Sequence, residues 1–434
     1  MPIKTIHFAI IGAGTAGLAT ATLLARQGFQ VSIFEKAQHL DPVGAGLLLQ
    51  PAGLAVFEHL GVLEHACQLG AKVTGLEGQL ADERLLVDSH YHEAGNHYTG
   101  LGIHRATLCH VLQTAVNQHR DAITWYMGYD IQQLQESPEQ VRLIGQDAQQ
   151  HPFDAAFDAV IVANGARSQL RPSVWVKIDQ PYPWGAAWTI VPECQQFNRE
   201  ILHQFYDTSQ IMMGILPTGA IPTAPEQRLS SVFWSLPSSQ LPDFLQQEQQ
   251  RELWLKQVSK RWSKVADWLE QVTQTSSTTW LSAQYRDVVM SQYGQGRIGV
   301  IGDAAHAMSP QLGQGANMAL LDAWALSQSV QHSYAQQQLD WAKLWQHYHQ
   351  VRRSSIFFYQ SLSRLLTPLY QSDLRWASRM RDVLFPLMYR IPYFRRQMAI
   401  TISGLKTNVL QQLDYTEIAQ SSTTSAFQTE KCSG

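Results

Sequence analysis

The chain has 434 residues, ordinary apolar and aromatic content and a net charge of −3, enough for roughly two to three domain-sized units with a substantial core. No acidic or basic block is long enough to suggest nucleic acid as a partner, and no uncharged apolar run reaches membrane-spanning length. Cys67, Cys109, Cys194 and Cys432 have neither CxxC nor metal-like spacing; no metal site is expected, and a reducing, cytoplasmic setting is.

The first strand is expected over Ile6–Ile11, which leaves no room for a signal peptide before it. Gly12-Ala13-Gly14-Thr15-Ala16-Gly17 follows at once and opens an Ala/Leu-rich helix to Arg26, with Gly28 as its cap. Val31–Phe34 is the next strand, with Glu35 and then Lys36 at its end. This order of strand, glycine turn, helix, strand and acid is the dinucleotide fingerprint. Gly12, Gly14, Ala16 and Gly17 allow a tight turn and close approach of a pyrophosphate, and Glu35 suits ribose hydroxyls. A second GxGxxG at Gly294–Gly299 precedes a strand and opens no helix, so one dinucleotide site is expected.

Gly44–Pro51 is another glycine-bearing loop, and Pro51 starts a helix ending near Leu60-Gly61. Val73–Leu80 and Leu85–His90 read as a hairpin around Asp82-Glu83, in a second sheet. His104–Leu108 begins a helix that carries Arg105. Ile123–Met127, Ile131–Leu134 and Val141–Ile144 read as a three-stranded meander. Asp158–Ala163 is a strand, followed by Asn164-Gly165 and by Ser168 and Arg171.

Residues 172–283 change character, with many aromatic residues on short β-prone stretches separated by Pro and Gly. An antiparallel sheet with an aromatic face is expected, followed by a helix-rich piece over Arg251–Val272. Most of the rings are core, and a few line a flat apolar pocket. Tyr182, Trp188, His203, Tyr206 and Trp234 are the substrate-side candidates.

Gly296–Leu326 gathers the most unusual features. A short apolar strand ends at Gly302-Asp303, a carboxylate placed to hold a polyol. Small residues follow, then a loop containing Pro310, Gly313, Gly315 and Ala316, then an apolar helix opened by Asn317. A glycine loop before a helix N-terminus suits an anion or an electron-rich ring edge. His306 is read as structural rather than as a base. Leu339–Leu366 is helical, and Pro368, Pro386 and Pro392 are expected to punctuate shorter pieces. Residues 352–411 are basic and amphipathic, which leaves two readings, a helical cap on the cofactor domain or a weak peripheral contact with anionic membrane. Ser421–Gly434 is polar and expected to be disordered.

The Gly296–Leu326 stretch is similar, almost residue for residue, to the second flavin motif of the FAD-dependent aromatic hydroxylases. These are the single-component flavoprotein monooxygenases typified by p-hydroxybenzoate hydroxylase. The resemblance covers nearly the whole chain and is strongest at 6–35, 158–171 and 285–326. It implies that Asp303 holds the ribityl chain and that Pro310, Gly313 and Asn317 belong to the segment beside the isoalloxazine ring. Arg105 would contact FAD, and Gly46 and Leu47 would form part of the ring's pocket. At Asn164 the chain departs from the family, which carries Asp-Gly there in a motif tied to FAD and nicotinamide.

The implied architecture is an α/β, Rossmann-like FAD domain (1–72, 98–172 and 284–350) with an inserted, mostly antiparallel β substrate domain (73–97 and 173–283) and a helical C-terminal segment (351–420). The implied activity is hydroxylation of an aromatic or similar apolar small molecule with O₂ and NADPH or NADH, through a flavin C4a-hydroperoxide. No side-chain acid or base is identified. A ubiquinone-pathway-type hydroxylase, a flavin-dependent halogenase and a flavin-binding sensor without turnover stay open as alternatives. For the halogenase, Trp184–Ile190 has the wrong spacing for its WxWxIP motif.

Overall fold

Two sheets and a helical layer organise the chain, and the apolar runs decide which strand goes where. The computed structural model describes residues 6–40, 44–95, 97–193, 195–275, 279–335 and 338–420. The expected disorder of 421–434, and the thiols of Cys194 and Cys432, lie outside these residues; Cys67 and Cys109 are free.

The first sheet has the order Gly294–Gln295, Ile298–Val300, Ala159–Val162, His7–Ile11, Gln30–Glu35, Ile123–Met127. All its pairs are parallel except the first. Its central strands are continuous apolar runs, as strands buried on both faces require. Helices Thr15–Arg26, Arg105–Asn117 and Gly315–Ser333 pack on one another beside it. The meander is three-stranded, as expected, but one strand out of step. It comprises Asp130–Glu136, Val141–Gln146 and Pro152–Phe157, while Ile123–Met127 joins the parallel sheet. Tyr126 on that strand stacks on Phe34 at 4.6 Å, and Phe153 and Phe157 of the meander close on the same ring.

The rejected glycine pattern has a packing reason. A Cβ at Gly294 or Gly299 would lie 2.2 Å from the Trp345 ring. Trp345 Nε1 also donates to Gly296 O at 2.9 Å. These glycines make room for an indole.

The second sheet has seven strands, in the order Leu281–Met290, Val176–Pro192, Ala224–Pro237, Ile211–Ile221, Ile201–Asp207, Gly75–Leu80, Leu85–His90. Only Ile201–Asp207 against Gly75–Leu80 is parallel. Glu83, at φ 65°, turns the expected hairpin. Side chains alternate between two environments. Phe205, Met213, Trp234 and Ala187 face helices Leu241–Gln246, Glu248–Arg261 and Ser263–Thr275 and form one core with Trp254, Trp262 and Trp268. The adjacent register row, Gln204, Gly214, Phe233, Trp188 and Leu281, crosses five strands. The chain enters and leaves the long run from Val176 to Met290 at one point: Ser291 N–H and its hydroxyl both donate to Trp175 O, at 2.7 and 3.1 Å.

A small sheet of Gly46–Leu49, Gly100–His104 and Ala71–Val73 joins the two large ones. It fits because Gly46 and Gly102 lack side chains: a Cβ would meet Thr218 Cγ2 at 2.1 Å and Pro217 O at 1.8 Å. The C-terminal layer comprises Trp341–Tyr370, Arg375–Tyr389 and Pro392–Ile402. Pro392 starts its helix as expected, but Pro368 and Pro386 sit inside theirs rather than ending them. Both lie near a helix C-terminus on elements whose inner faces are packed, with Leu369, Tyr370 and Phe385 buried in one cluster, and this offsets the missing N–H.

Candidate active site

A cavity of about 1380 Å³ lies between the two large sheets. It is lined by the glycine turn, the Glu35 strand end, the Gly44–Leu48 segment, Arg105, Asn164, the Asp303–Ala316 loop and the Trp188–Phe233 face of the second sheet.

Gly12 lies at φ 106°, donates to Phe34 O at 2.7 Å, and a Cβ there would sit 2.5 Å from Ala163 O. Only glycine permits that approach. Gly14 caps the Thr15–Arg26 helix and a Cβ would find open space, so the helix N-terminus is bare toward the cavity. Gly17 does not line the cavity. It lets the helix close on the turn, since a Cβ would be 1.9 Å from Gly12 O. Glu35 holds this turn from the next strand: Ala13 N–H donates to Oε2 at 2.8 Å and Ala37 N–H to Oε1 at 2.9 Å. Lys36 lines the rim and pairs with Asp130 at 3.0 Å.

Asp303 follows Gly302, whose φ of 61° with ψ −148° is open to glycine alone. The Asp303 side chain is exposed to the cavity but deep in the protein, and accepts no hydrogen bond from any described residue. Burial raises its pKa, opposed by His306 and Arg105. A deep carboxylate facing open space is a site for hydroxyl donors. Arg105 likewise lines the cavity with no hydrogen-bond partner among the described residues. The imidazole of His104 caps that helix by accepting from Ala106 N–H at 3.1 Å.

His306 touches the cavity wall, but its imidazole is engaged from behind. Its Nε2 pairs with Asp322 at 2.5 Å, and Gly302 N–H donates to the same carboxylate oxygen at 2.8 Å. Arg352 Nε donates to the other oxygen at 2.7 Å. Burial alone would raise the Asp322 pKa. The His306 and Arg352 charges, with these hydrogen bonds, instead hold it well below the usual carboxylate range. This buried trio fixes the Gly302-Asp303 turn from behind.

Asn317 does not line the cavity. Its Oδ1 accepts from Gln50 N–H at 2.8 Å and its Nδ2 donates to Leu48 O and Gly313 O, both at 3.3 Å. It ties the Gly46–Leu49 strand to the Pro310–Gly315 loop, where Gly313 lies at φ 61°. Gly46, Leu47, Pro310, Gly313, Gly315 and Ala316 all line the cavity. Gly46, however, owes its lack of a side chain to packing against Thr218.

Asn164 lines the cavity, exposed, and its side chain makes no hydrogen bond among the described residues. The turn after it needs a left-handed residue only at Gly165, φ 83°. Arg171 and Ser168 build it instead. Arg171 donates to Ala166 O at 3.2 Å, to Ala304 O at 3.1 Å and to Asp179 at 2.6 Å.

Of the substrate-side candidates Trp188 alone lines the cavity. His203 and Trp234 are one residue out of phase, on the opposite face of their strands from Gln204 and Phe233. Tyr206 shares the Gln204 face but is roofed by Tyr370 and by Arg381, 5.2 Å from its ring. Tyr182 lies off the cavity wall. Gln204, Phe233, Tyr285, Met308, Gln311 and Gln371 line it without having been foreseen. Strand alternation from Trp188 could have found Phe233 had the register been known. Gln311 and Gln371 carried no such signal. Both polar atoms of the Gln311 amide and the Oε1 of Gln371 are buried without a hydrogen-bond partner among the described residues.

This cradle fits FAD: a bare helix N-terminus for pyrophosphate, a deep carboxylate for a polyol, and a loop of proline and glycine beside a wide cavity. Comparison with known proteins agrees. A FAD binding domain family model matches residues 5–355. The 3-amino-4-hydroxybenzoate 2-monooxygenase of Streptomyces cremeus is 28% identical over 331 residues, covering 74% of this chain and 78% of its own. The 2-heptyl-3-hydroxy-4(1H)-quinolone synthase of Pseudomonas aeruginosa is 25% identical, covering 87% and 93%. In fold, the chain is similar to the crystal structure of p-nitrophenol 4-monooxygenase from Pseudomonas putida, with a TM-score of 0.74 at 14% identity, over 93% of this chain and 100% of the other. With the family model spanning most of its length, this chain belongs to the FAD-binding family of aromatic hydroxylases, the flavoprotein monooxygenases, and FAD is its cofactor.

Proposed function

We propose that this monooxygenase acts on a neutral, flat, largely apolar aromatic ring that carries a hydrogen-bonding edge. The observation that carries this is the charge distribution in the cavity. Its cations, Lys36, Arg105 and Arg167, stand by the Glu35, Gly44 and Asn164 loops. The wall from Trp188 through Phe233 and Gln204 to Gln371 has none, only rings, aliphatic groups and neutral amides. A carboxylated substrate brought there would lose water without gaining a counter-charge. A neutral ring would stack on Trp188 and Phe233, whose centroids are 4.9 Å apart, and offer its edge to the Gln371 or Gln311 amide. This favours a ring such as the quinolone in the name of the Pseudomonas relative over the benzoate in that of the Streptomyces one.

On this reading Glu35 takes the adenosine ribose, the Gly14–Thr15 helix start and Arg105 the pyrophosphate, and Asp303 the ribityl hydroxyls. FAD supplies the redox chemistry: it accepts hydride from NAD(P)H and activates O₂. The chain's part is positional. Pro310–Leu312, held by Asn317 and Gln50, would form the part of the cavity wall that holds the flavin ring. The Trp188–Phe233 wall excludes water and orients the substrate. Gln50 Nε2 donates to Leu312 O at 3.2 Å, which fixes the carbonyl beside Gly313. On the Trp188–Phe233 wall the neutral amides of Gln204 and Gln371 would hold the orientation of a bound ring.

The test is NAD(P)H oxidation by the yellow holoprotein with matched ring pairs, neutral 4-quinolones and naphthols against carboxylated benzoates, with ¹⁸O₂ incorporation read by mass spectrometry. Neutral bicycles should stimulate oxidation and take label from O₂. Stronger stimulation by benzoates, or label from water alone, would overturn the reading.

A further inference from the structure

Large apolar side chains exposed on this molecule concentrate in the C-terminal helical layer. On the Arg375–Tyr389 helix, Trp376, Met380, Val383, Leu384 and Leu387 are 45–66% exposed. Their spacing of four, three, one and three residues makes one unbroken stripe along the helix. The inner face is packed: Ala377, Arg381 and Phe385 are buried against Tyr370 and Tyr206. The helix is therefore apolar on both sides, and its outer side has no described covering. Beyond it, Ile391, Tyr393 and Phe394 continue the patch onto the next helix.

Charge decides what covers it. Arg379, Arg390 and Arg396 are exposed around this patch, and Arg353 and Arg364 are exposed on the preceding helix. The acids of 352–411, Asp373 and Asp382, are both engaged, Asp373 by Gln210 at 2.8 Å and Asp382 by Arg381 at 2.7 Å. An apolar stripe with Trp and Tyr, rimmed by exposed guanidinium groups that outnumber the nearby acids Asp88, Glu93, Asp373 and Asp382, matches an anionic lipid surface. The chains would take the stripe, the interface the aromatic rings, and the headgroups the cations. A second copy of this chain would bring like charges together. No helix of the described residues is long and apolar enough to cross a membrane, so the contact is one of lying on the surface.

We propose that the Arg375–Ile402 face docks this protein on anionic membrane. The same layer borders the cavity, for Gln371, before its second helix, and Ile402, at the end of its third, are both in the cavity wall. Docking would set the substrate cavity directly above the lipid from which an apolar ring could be drawn. The docking does not depend on which ring is oxidised.

Co-sedimentation of the full-length holoprotein with phosphatidylglycerol/phosphatidylcholine vesicles, against pure phosphatidylcholine, tests it. Binding should need the anionic lipid and weaken with salt. V383E/L387E and R379E/R390E should each bind about tenfold or more weakly, with flavin absorbance and NAD(P)H oxidation retained as evidence of folding. Three results would overturn the proposal: no binding to anionic vesicles, equal binding by the variants, or a dimer of the wild-type protein that V383E/L387E converts to monomer.

Discussion

Asp303 is a carboxyl deep in the cavity that no donor of the described residues reaches, and its pKa is raised by burial. Hydroxyl donors favour its ionised form, so cofactor binding should lower that pKa and release a proton. The sign follows: FAD affinity should rise with pH through the Asp303 titration and fall on acidification. Asp303→Asn should remove this slope and weaken binding by about 1.5–3 kcal/mol, roughly tenfold to a hundredfold. Titrating apoprotein with FAD at several pH values, by flavin fluorescence, reads both effects. A slope that survives in Asp303→Asn would place the titrating group elsewhere. The residue type at this position was legible in the chain because Gly302-Asp303 stands at a strand end. What made it available, the Asp322–His306–Arg352 trio behind it, was not. Its members are 16 and 30 residues from Asp322, and nothing local marks them as partners.

At the scale of elements, the parallel strands and the glycine turn could be read directly, since buried runs and left-handed glycines leave local traces. The substrate sheet could be recognised as a sheet but not phased. A slip of one residue exchanges Phe233 for Trp234 and Gln204 for His203, and aromatic content is similar on both faces. The turn after Asn164 is built by Ser168 and Arg171, and Asn164 itself faces the cavity. Asn164→Asp should therefore leave thermal stability within about 0.5 kcal/mol. It should instead change the rate at which NADPH or NADH reduces the bound flavin, because it adds a charge to the cavity wall. Stopped-flow reduction beside a melting curve separates the two effects. A large drop in melting temperature would return Asn164 to a structural role.

For the whole molecule, the family model ends at residue 355, yet the cavity wall extends to Ile402. Leu369, Tyr370, Ala377 and Phe385 also bury Leu80, Leu86 and Tyr206 of the second sheet. A chain ending at Tyr370 should expose that cluster and open the cavity at Gln371. It should be recovered with little flavin and a strong tendency to aggregate, as gel filtration and the flavin-to-protein absorbance ratio would report. A monomeric, fully flavinated truncation would show the C-terminal layer to be dispensable. Composition hinted at this layer through its run of arginines, but which of them pack inward, as Arg352 and Arg381 do, depends on distant partners.

Arg171 gives the chain a usable joint. It holds carbonyls of both cofactor loops, Ala166 and Ala304, and reaches Asp179 on the second sheet, where Arg286 also binds. Nearby, the run from Val176 to Met290 begins and ends side by side at Trp175 and Ser291. Recombination between relatives could thus swap the substrate-recognising block as a cassette, cut at those two residues. The condition is that the incoming cassette bring a carboxylate at the position of Asp179. Without it, a guanidinium that is only 8% exposed loses its counter-charge, and the graft fails at the joint whatever the quality of its pocket.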